Sequence, residues 1–517
     1  MADTSVLIAG AGPTGLMLAL RLARHRVPFR IVDRNGGPAQ ASRAMVVQAR
    51  TLEFYAQLGL ADAVVAQGIR VKTAHLCENG REVASFSLDG AGAGVSAYPF
   101  ALCYPQDDHE RFLVEQLAAL GVAVEWDTEL QGFEQDGQGV RASLVRDGGT
   151  ETCGAAYLCG CDGAHTTVRP QLGIGFPGGT YGQLFYVADV AVAGPPTADL
   201  FMHVGARSLV LMLPVRSSGT QRLIGVVPPE HGDRHDLRFD DVRPSAEALL
   251  GIQVSAVNWF ATYRVHHRVA DGFRSGRVFI AGDAGHLHSP AGGQGMNTGI
   301  GDAVNLSWKL ANALGGRTGP GVLDTYETER LPFARKLVHT TDRAFQGMVG
   351  EGWGSSLLRR WVVPHLAPAL TGVPAVRRAL FATLSQTRIT YRGSALSEGQ
   401  AGEVHGGDRL PWLGGNYQSL RALDWRLHIY GDAEPALEVA ASKLGIGVDG
   451  FDWNEAAERA ALGRDAAYLV RPDSHVALAL PDQDPGALAA YAARIGLRAL
   501  GRGRPDRVRA TPARMNG

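Results

Sequence analysis

A chain of 517 residues exceeds what one hydrophobic core serves, so two or three domains are expected. Hydrophobic residues at 45% and a formal net charge of −1 describe an ordinary globular protein, without the basic excess that nucleic acid or an anionic membrane would need. The start, MADTSVLIAG, lacks a basic n-region, and no uninterrupted apolar run reaches the roughly 18 residues of a membrane span, so a cytoplasmic location is expected.

Taken in order, Ser5 to Ala9 is a buried-type strand, followed by Gly10-Ala11-Gly12-Pro13-Thr14-Gly15 and an amphipathic helix. A second strand, Val27 to Val32, ends at Asp33 and Arg34, the acidic residue standing 18 positions after the last glycine. A GxGxxG that follows a strand, opens a helix and has such an acid behind it reads as a dinucleotide turn, with pyrophosphate on the helix N-terminus and Asp33 on the ribose hydroxyls. It does not choose between FAD and NAD(P). Arg43 lies past the second strand, where a cation could meet cofactor phosphate. Gln106 stands at the entrance of the helix DDHERFLVEQLAAL, for which Asp107 or Asp108 is the expected N-cap.

Val122 to Glu125 and Leu130 to Glu134 continue the sheet, and VRASLVRD with ETCGAAYLCG reads as a hairpin. It delivers the chain to Asp162-Gly163 and, six residues beyond that glycine, Arg169. The five cysteines (77, 103, 153, 159 and 161) form no disulfide framework, and Cys159-Gly-Cys161 lacks metal spacing, so no metal site is expected. From about Phe176 to Phe273 the pattern changes to alternating strands, an antiparallel insertion that would roof the cofactor and supply a substrate pocket. Phe185, Phe201, His203, Met212, Trp259, Tyr263 and Pro290 are candidate lining residues, with Tyr98 and Phe100. Half of any strand's side chains face the other way.

Residues 278 to 310 are the centre of the reading. Val278 to Ala281 is a buried strand, Asp302 onward reads as helix, and the crossing between them carries glycines at 282, 285, 292, 293, 295, 299 and 301. Such backbone can approach an anion or a flat electron-rich ring closely. Asp283 could accept hydrogen bonds from a ribose or ribityl hydroxyl, and Pro290 fixes a turn. Beyond it, Tyr326 to about Ser385 is expected to be packing helices, 393 to 407 a Gly/Ser linker, and Asp408 onward a third domain of short strands and helices. The tail from about Gly501 is basic and aperiodic.

These segments resemble the FAD-dependent aromatic hydroxylases, single-component flavoprotein monooxygenases of the para-hydroxybenzoate and phenol hydroxylase type. The resemblance rests on the turn at Gly10 to Gly15, Asp162-Gly163 with Arg169, and Gly282-Asp283 continuing through Pro290 and Gly292-Gly293-Gln294-Gly295-Met296-Asn297-Thr298-Gly299. It covers residues 4 to 340 and is nearest to bacterial enzymes acting on polyketide and halogenated phenolic rings. It implies an α/β fold: a Rossmann-like FAD-binding domain (1–175 and 274–392), an inserted antiparallel β-sheet substrate domain (176–273), and a thioredoxin-like C-terminal domain (393–517) with LVRPDSHVA as its best-matching stretch. No cysteine follows Cys161, so that last domain has no thiol redox role; a structural or oligomerisation role is expected.

The resemblance also assigns roles. Gly10, Gly12, Pro13, Thr14, Gly15, Asp33 and Arg34 would hold the ADP half of FAD, with Arg43 and Gln106 along the cofactor and Leu130 meeting the adenine through its backbone. Gly282 and Asp283 would meet the ribityl and pyrophosphate region. Pro290 and the stretch Gly293, Gln294, Gly295, Met296 and Asn297 would lie at the isoalloxazine, and Asp162, Gly163 and Arg169 would serve FAD and NAD(P)H together. The implied reaction is NAD(P)H- and O2-dependent hydroxylation of a phenolic or polyketide aromatic through a flavin C4a-hydroperoxide, with no catalytic side-chain nucleophile. A single dinucleotide fingerprint means that NAD(P)H visits transiently. Baeyer–Villiger oxidation, or inactivation of an aromatic antibiotic by the same chemistry, is the alternative. A monomer or homodimer with no nucleic-acid or membrane partner is expected.

Overall fold

The computed structural model describes residues 3–40, 44–205, 208–216, 219–232, 234, 236–289, 291–349 and 373–499. The first sheet is built on four parallel strands in the order β2 (Phe29–Val32), β1 (Thr4–Ala9), β10 (Gly149–Gly160) and β17 (Val278–Ile280). The pair β8 (Thr128–Gln135) and β9 (Val140–Arg146) folds onto β10, and β16 (Arg274–Ser275) edges β17. Val6, Leu7 and Ile8 are fully buried because β1 is covered on both faces, the reason it reads as an unbroken apolar run. Helix α1 (Pro13–Arg24) leaves β1 directly and packs along α7 (Gly295–Leu314), with α4 (Gln106–Ala119) beside it.

A second sheet runs in the order β18 (His286–Leu287), β15 (Val254–Val269), β11 (Gly178–Val192), β14 (Gln221–Val226), β13 (Ser208–Pro214), β12 (Leu200–Gly205), β5 (Thr73–Glu78) and β6 (Arg81–Ser87). It reaches outside 176–273: β12 takes β5 as a parallel neighbour, so residues 73 to 87 belong to this sheet and not to the first. One face packs on α6 (Phe239–Leu250) through Tyr186, Ala188, Met212, Val242 and Ala246. The other packs Val187, Leu213, Ile224 and Tyr263 against Met45, Val71 and Cys103. Val71 and Cys103 lie in a small sheet of β3 (Val46–Val47), β7 (Ala101–Cys103) and β4 (Ile69–Val71). The helices α2 (Ala49–Leu58), α3 (Ala61–Gln67) and α5 (Val168–Gln171) are short connectors between these layers.

After α8 (Asp324–Val349) and α9 (Pro374–Leu384), the C-terminal sheet runs β20 (Val404–His405), β19 (Glu398–Ala401), β24 (Val476–Leu480), β23 (Ala466–Val470), β21 (Arg426–Tyr430) and β22 (Gly447–Phe451). Strands β21 and β22 are parallel, β23 is antiparallel to β21, and β24 to β23. Helices α10 (Pro435–Lys443), α11 (Glu455–Arg459) and α12 (Pro485–Ile495) complete the unit. The stretch expected as a linker, 393 to 407, instead holds the β19–β20 hairpin, anchored because β19 pairs with β24.

Two helix starts differ from the expectations. Helix α4 has Pro105 at its N-cap with no side-chain cap bond; Asp107 lies inside the first turn, its Oδ2 accepting from Arg216 of the facing sheet at 2.6 Å. Helix α7 begins at Gly295, not Asp302. Its glycines stay helical because they give room to neighbours: a Cβ on Gly299 would stand 2.3 Å from Thr14 Oγ1, and one on Gly301 3.2 Å from the Arg330 guanidinium.

Candidate FAD site

The three glycine motifs meet at the carboxyl ends of adjacent parallel strands, where open α/β sheets bind ligands. Cys161 N–H donates to the Ala9 carbonyl at 2.7 Å, and Ala281 N–H to the Gly160 carbonyl at 3.0 Å, so the three turns emerge side by side. Gly10 has φ +101°, and a Cβ there would stand 2.3 Å from the Cys161 carbonyl oxygen; one on Gly15 would stand 1.9 Å from the Gly10 oxygen. Glycine is needed at both for chain-to-chain approach. Around Gly12 no atom lies within 4 Å of a built Cβ. That open space faces the start of α1, whose N-terminus has no side-chain cap and no acid in its first turn.

Gly10, Gly12, Asp33, Arg34, Leu130, Asp162 and Gly163 line one cleft of about 220 Å³, together with Glu110, Trp126, Thr128, His165 and Thr167. Asp33 Oδ2 accepts the Ala11 N–H at 2.7 Å and Oδ1 the Asn35 N–H at 2.9 Å, which stiffens the glycine turn from the end of β2. Asp162 Oδ2 accepts the Thr167 N–H at 2.8 Å, while its buried Oδ1 has no hydrogen-bond partner. Burial pushes this carboxyl above the usual carboxylate range. Leu130 lies within β8, not after a strand, and is buried at the cleft wall. An uncapped helix N-terminus beside unfilled space, in a cleft that Asp33 and Asp162 also line, fits the ADP half of FAD.

Among the described residues, Pro13, Thr14, Gly15, Gln106, Arg169, 282–289 and 292–297 stand outside that cleft lining. Thr14 joins the turns instead: a Cβ on Gly282 (φ +63°) would come 2.5 Å from Thr14 Oγ1. Gln106 Oε1 accepts Ala44 N–H at 3.4 Å and its Nε2 donates to Glu110 at 2.8 Å, so it pins the chain after β2 to α4. Arg169 Nη1 donates to the Ala284 carbonyl at 2.7 Å and lies 3.7 Å over the Phe176 ring, tying the second motif to the third. Asp283 is exposed within a short 3-10 turn, Gly282–Ala284.

At the start of α7 the polar side chains face the protein. Asn297 Oδ1 accepts from Gln48 N–H (2.9 Å) and Thr51 Oγ1 (2.7 Å), and its Nδ2 donates to the Val46 and Gly293 carbonyls, both at 2.8 Å. Gln294 Nε2 donates to the Leu384 carbonyl at 2.7 Å and its Oε1 accepts from Gln386 at 2.6 Å. With both side chains occupied, and Met296 packed on the core, this segment has backbone to offer a ring. The expectations on Arg43 and Pro290 lie outside the described residues, as do those on residues 350–372 and the tail beyond 499.

The candidate pocket residues divide by strand alternation. Phe201, His203 and Met212 lie on the α6 face: Phe201 and Met212 pack in that cluster, and His203 Nδ1 pairs with the Cys77 carbonyl at 3.1 Å and its Nε2 with Ser208 Oγ at 3.1 Å. Phe185, Trp259 and Tyr263 lie on the opposite face, towards the cofactor layer, with the Phe185 and Tyr263 rings 5.9 Å apart.

Sequence reasoning missed a buried brace. Asp302, fully buried on α7, accepts Gly282 N–H (3.0 Å) and His286 Nε2 (2.7 Å) on Oδ2 and Arg330 Nε (2.6 Å) on Oδ1. Burial alone would raise this carboxyl, but the Arg330 and His286 charges hold it below the usual range. A signal was present: Asp302, Asn305 and Lys309 place an acid, an amide and a base on one face of a helix whose side chains are mostly buried. No group of three or more metal-ligating side chains occurs among the described residues, and none of their helices is long and apolar enough to cross a membrane.

Residues 3–341 match the family described as FAD binding domain, and the chain belongs to these FAD-dependent aromatic hydroxylases. It is an FAD-dependent monooxygenase, a class in which NAD(P)H and O2 are the usual co-substrates. It is 38% identical over 462 residues to 6-methylpretetramide 4-monooxygenase of Streptomyces rimosus, covering 84% of this chain and 81% of the relative. Pentachlorophenol 4-monooxygenase of Sphingobium chlorophenolicum is 33% identical over 371 residues, 68% of this chain and 66% of that one. The crystal structure of the flavin-dependent monooxygenase PieE in complex with FAD and substrate superposes with a TM-score of 0.78 at 27% identity, covering 96% of this chain and 100% of that chain.

Proposed function

We propose that this chain hydroxylates an aromatic ring of the phenolic or polyketide type. The balance is substrate C–H, O2, NAD(P)H and a proton going to C–OH, NAD(P)+ and water. FAD, when bound, takes the hydride and activates the oxygen. The chain's own residues bind, orient and exclude water. The α1 N-terminus and Gly12 would take the pyrophosphate, Asp33 the ribose, Gly282 and Asp283 the ribityl region, and the backbone of 293–297 the ring edge. Phe185, Trp259 and Tyr263 would present an apolar wall to the substrate ring. Asp162, Gly163 and Arg169 would serve the visiting nicotinamide dinucleotide as well.

In domain terms we read a Rossmann-like FAD unit (1–175 and 274–392, less residues 73–87), a substrate sheet (176–273 with 73–87), and a thioredoxin-like unit (393–499) in which β24-β23-β21-β22 carries the core order. The observation that supports the whole reading most is the convergence of three glycine turns at the ends of β1, β10 and β17. The test is stopped-flow reduction of the purified yellow protein by NADH and by NADPH across a panel of phenols and polyketide aromatics. Substrate-accelerated bleaching followed by a product one oxygen heavier is expected; reduction indifferent to every aromatic, with no oxygenated product, overturns it. A lactone or ester product would make the oxygen insertion Baeyer–Villiger in kind.

A further inference from the structure

The tip of the β23–β24 hairpin, Arg471-Pro472-Asp473-Ser474-His475, is driven into the helices of the cofactor layer. Arg471 and Ser474 are fully buried and Asp473 nearly so. The Pro472 carbonyl accepts from Arg21 of α1 (3.1 Å) and from Gln57 of α2 (3.2 Å), and the Asp473 carbonyl from Arg50 of α2 (2.7 Å). Asp473 Oδ2 accepts from Trp308 Nε1 of α7 at 3.1 Å. Arg471 makes a two-pronged pair with Glu329 of α8, at 2.7 and 2.9 Å, and Glu329 also holds Lys309 of α7 at 2.7 Å. The next residue, Arg330, grips Asp302, the Thr298 carbonyl (3.1 Å) and Tyr391 Oη (2.9 Å).

These bonds are placed where a brace for the cofactor would be. The hairpin seizes α1 at Arg21, about two and a half turns beyond Gly12, and α7 at Trp308, between three and four turns beyond Gly295. Those are the two helices that begin at the glycine turns. Glu329 and Arg330 are adjacent on α8, so the pair that takes the hairpin also sets the arginine that aims Asp302 at Gly282 N–H. Burying this many charges is not an efficient route to stability alone, since packed apolar side chains do as well; what such networks do supply is a unique register between elements.

We propose that Arg471 and Asp473 are positioning residues for the FAD site, through which the C-terminal unit sets the α1 and α7 N-termini and the Gly282 turn. This rests on the FAD reading above. It gives that unit a task within one chain, beyond any part in oligomerisation.

The test uses the full-length protein, freed of FAD and then reconstituted, carrying Asp473→Asn, Arg471→Met or Trp308→Phe, with Arg494→Ala, which breaks the exposed Glu398 pair of the same unit, as control. At 10 °C, with far-UV circular dichroism matching wild type, FAD is titrated by fluorescence quenching and the bound visible spectrum recorded. A five- to twentyfold weaker FAD affinity and altered structure of the long-wavelength band are expected for Asp473→Asn and Arg471→Met. A smaller change in the same direction is expected for Trp308→Phe, and none for Arg494→Ala. If the first two variants do not fold, Trp308→Phe alone carries the test. Folded variants that melt earlier yet bind FAD with wild-type affinity and spectrum would make the hairpin merely structural and overturn the proposal. Wild-type protein that binds no FAD would overturn the earlier reading instead.

Discussion

Thr14 Oγ1 occupies the space that a side chain on Gly282 would need, and the same oxygen is where a Cβ on Gly299 would fall. One hydroxyl thus sets how closely the first glycine turn, the last glycine turn and α7 approach, although 268 residues separate Thr14 from Gly282.

Gly299→Ala is expected to push α1 and α7 apart, costing about 1–3 kcal/mol of stability as overpacking does, and to weaken FAD binding. Thr14→Ala removes the colliding oxygen, so the double variant should recover much of the loss. A double-mutant cycle by thermal unfolding and FAD titration checks this; additive losses would show that the two positions do not share that space.

Asp33→Ala removes the acceptor that holds the Ala11 N–H and the proposed ribose partner. FAD affinity is expected to fall about tenfold or more, about 1.4 kcal/mol, with secondary structure intact. Equilibrium dialysis of the reconstituted protein measures it, and unchanged affinity would remove Asp33 from the cofactor.

Tyr263→Ala and Met212→Ala separate the two faces of the second sheet, proposed to bind substrate. The first is expected to raise substrate KM about tenfold with little change in melting temperature. The second opens a cavity under α6, with an expected loss of about 2–5 kcal/mol and an unchanged KM. The reverse pattern would place the pocket on the α6 face.

Asp302→Ala leaves the Arg330 guanidinium buried without its carboxylate, an expected loss of about 3–5 kcal/mol by denaturant titration. In the wild type the Asp302 carboxyl is held low, so its contribution is present above the ordinary aspartate range and disappears as pH falls through its folded value.

The buried histidines bring acid sensitivity in earlier. Burial lowers His109 to about 3 and His428 to about 4, so the folded form resists protons that the unfolded chain accepts from about pH 6.5 downward. The stability they contribute is complete above that pH and is lost as pH falls towards 4. Melting temperature should decline across this window, and His428→Gln should flatten part of the slope; an unchanged slope would dissociate His428 from it.

The three motif turns were legible in the sequence because each obeys a local rule: a glycine where the backbone must approach, an acid at a strand end, a helix start facing an anion. The strand before Asp162 and the run of strands after Phe176 followed from such patterns, whereas the Asp33 bond to the Ala11 N–H appears only in the fold. What the chain order could not show is pairing between distant segments. Residues 73 to 87 join the second sheet because β12 accepts β5 as a neighbour, and Phe201, His203 and Met212 turn to α6 because pleat phase is settled only when one face finds a partner. Asp302, Arg330, Arg471 and Asp473 looked like scattered charges on helices and a turn. Folding brings them together out of water, where each needs an opposite partner, and that demand is what joins the C-terminal hairpin to the glycine turns.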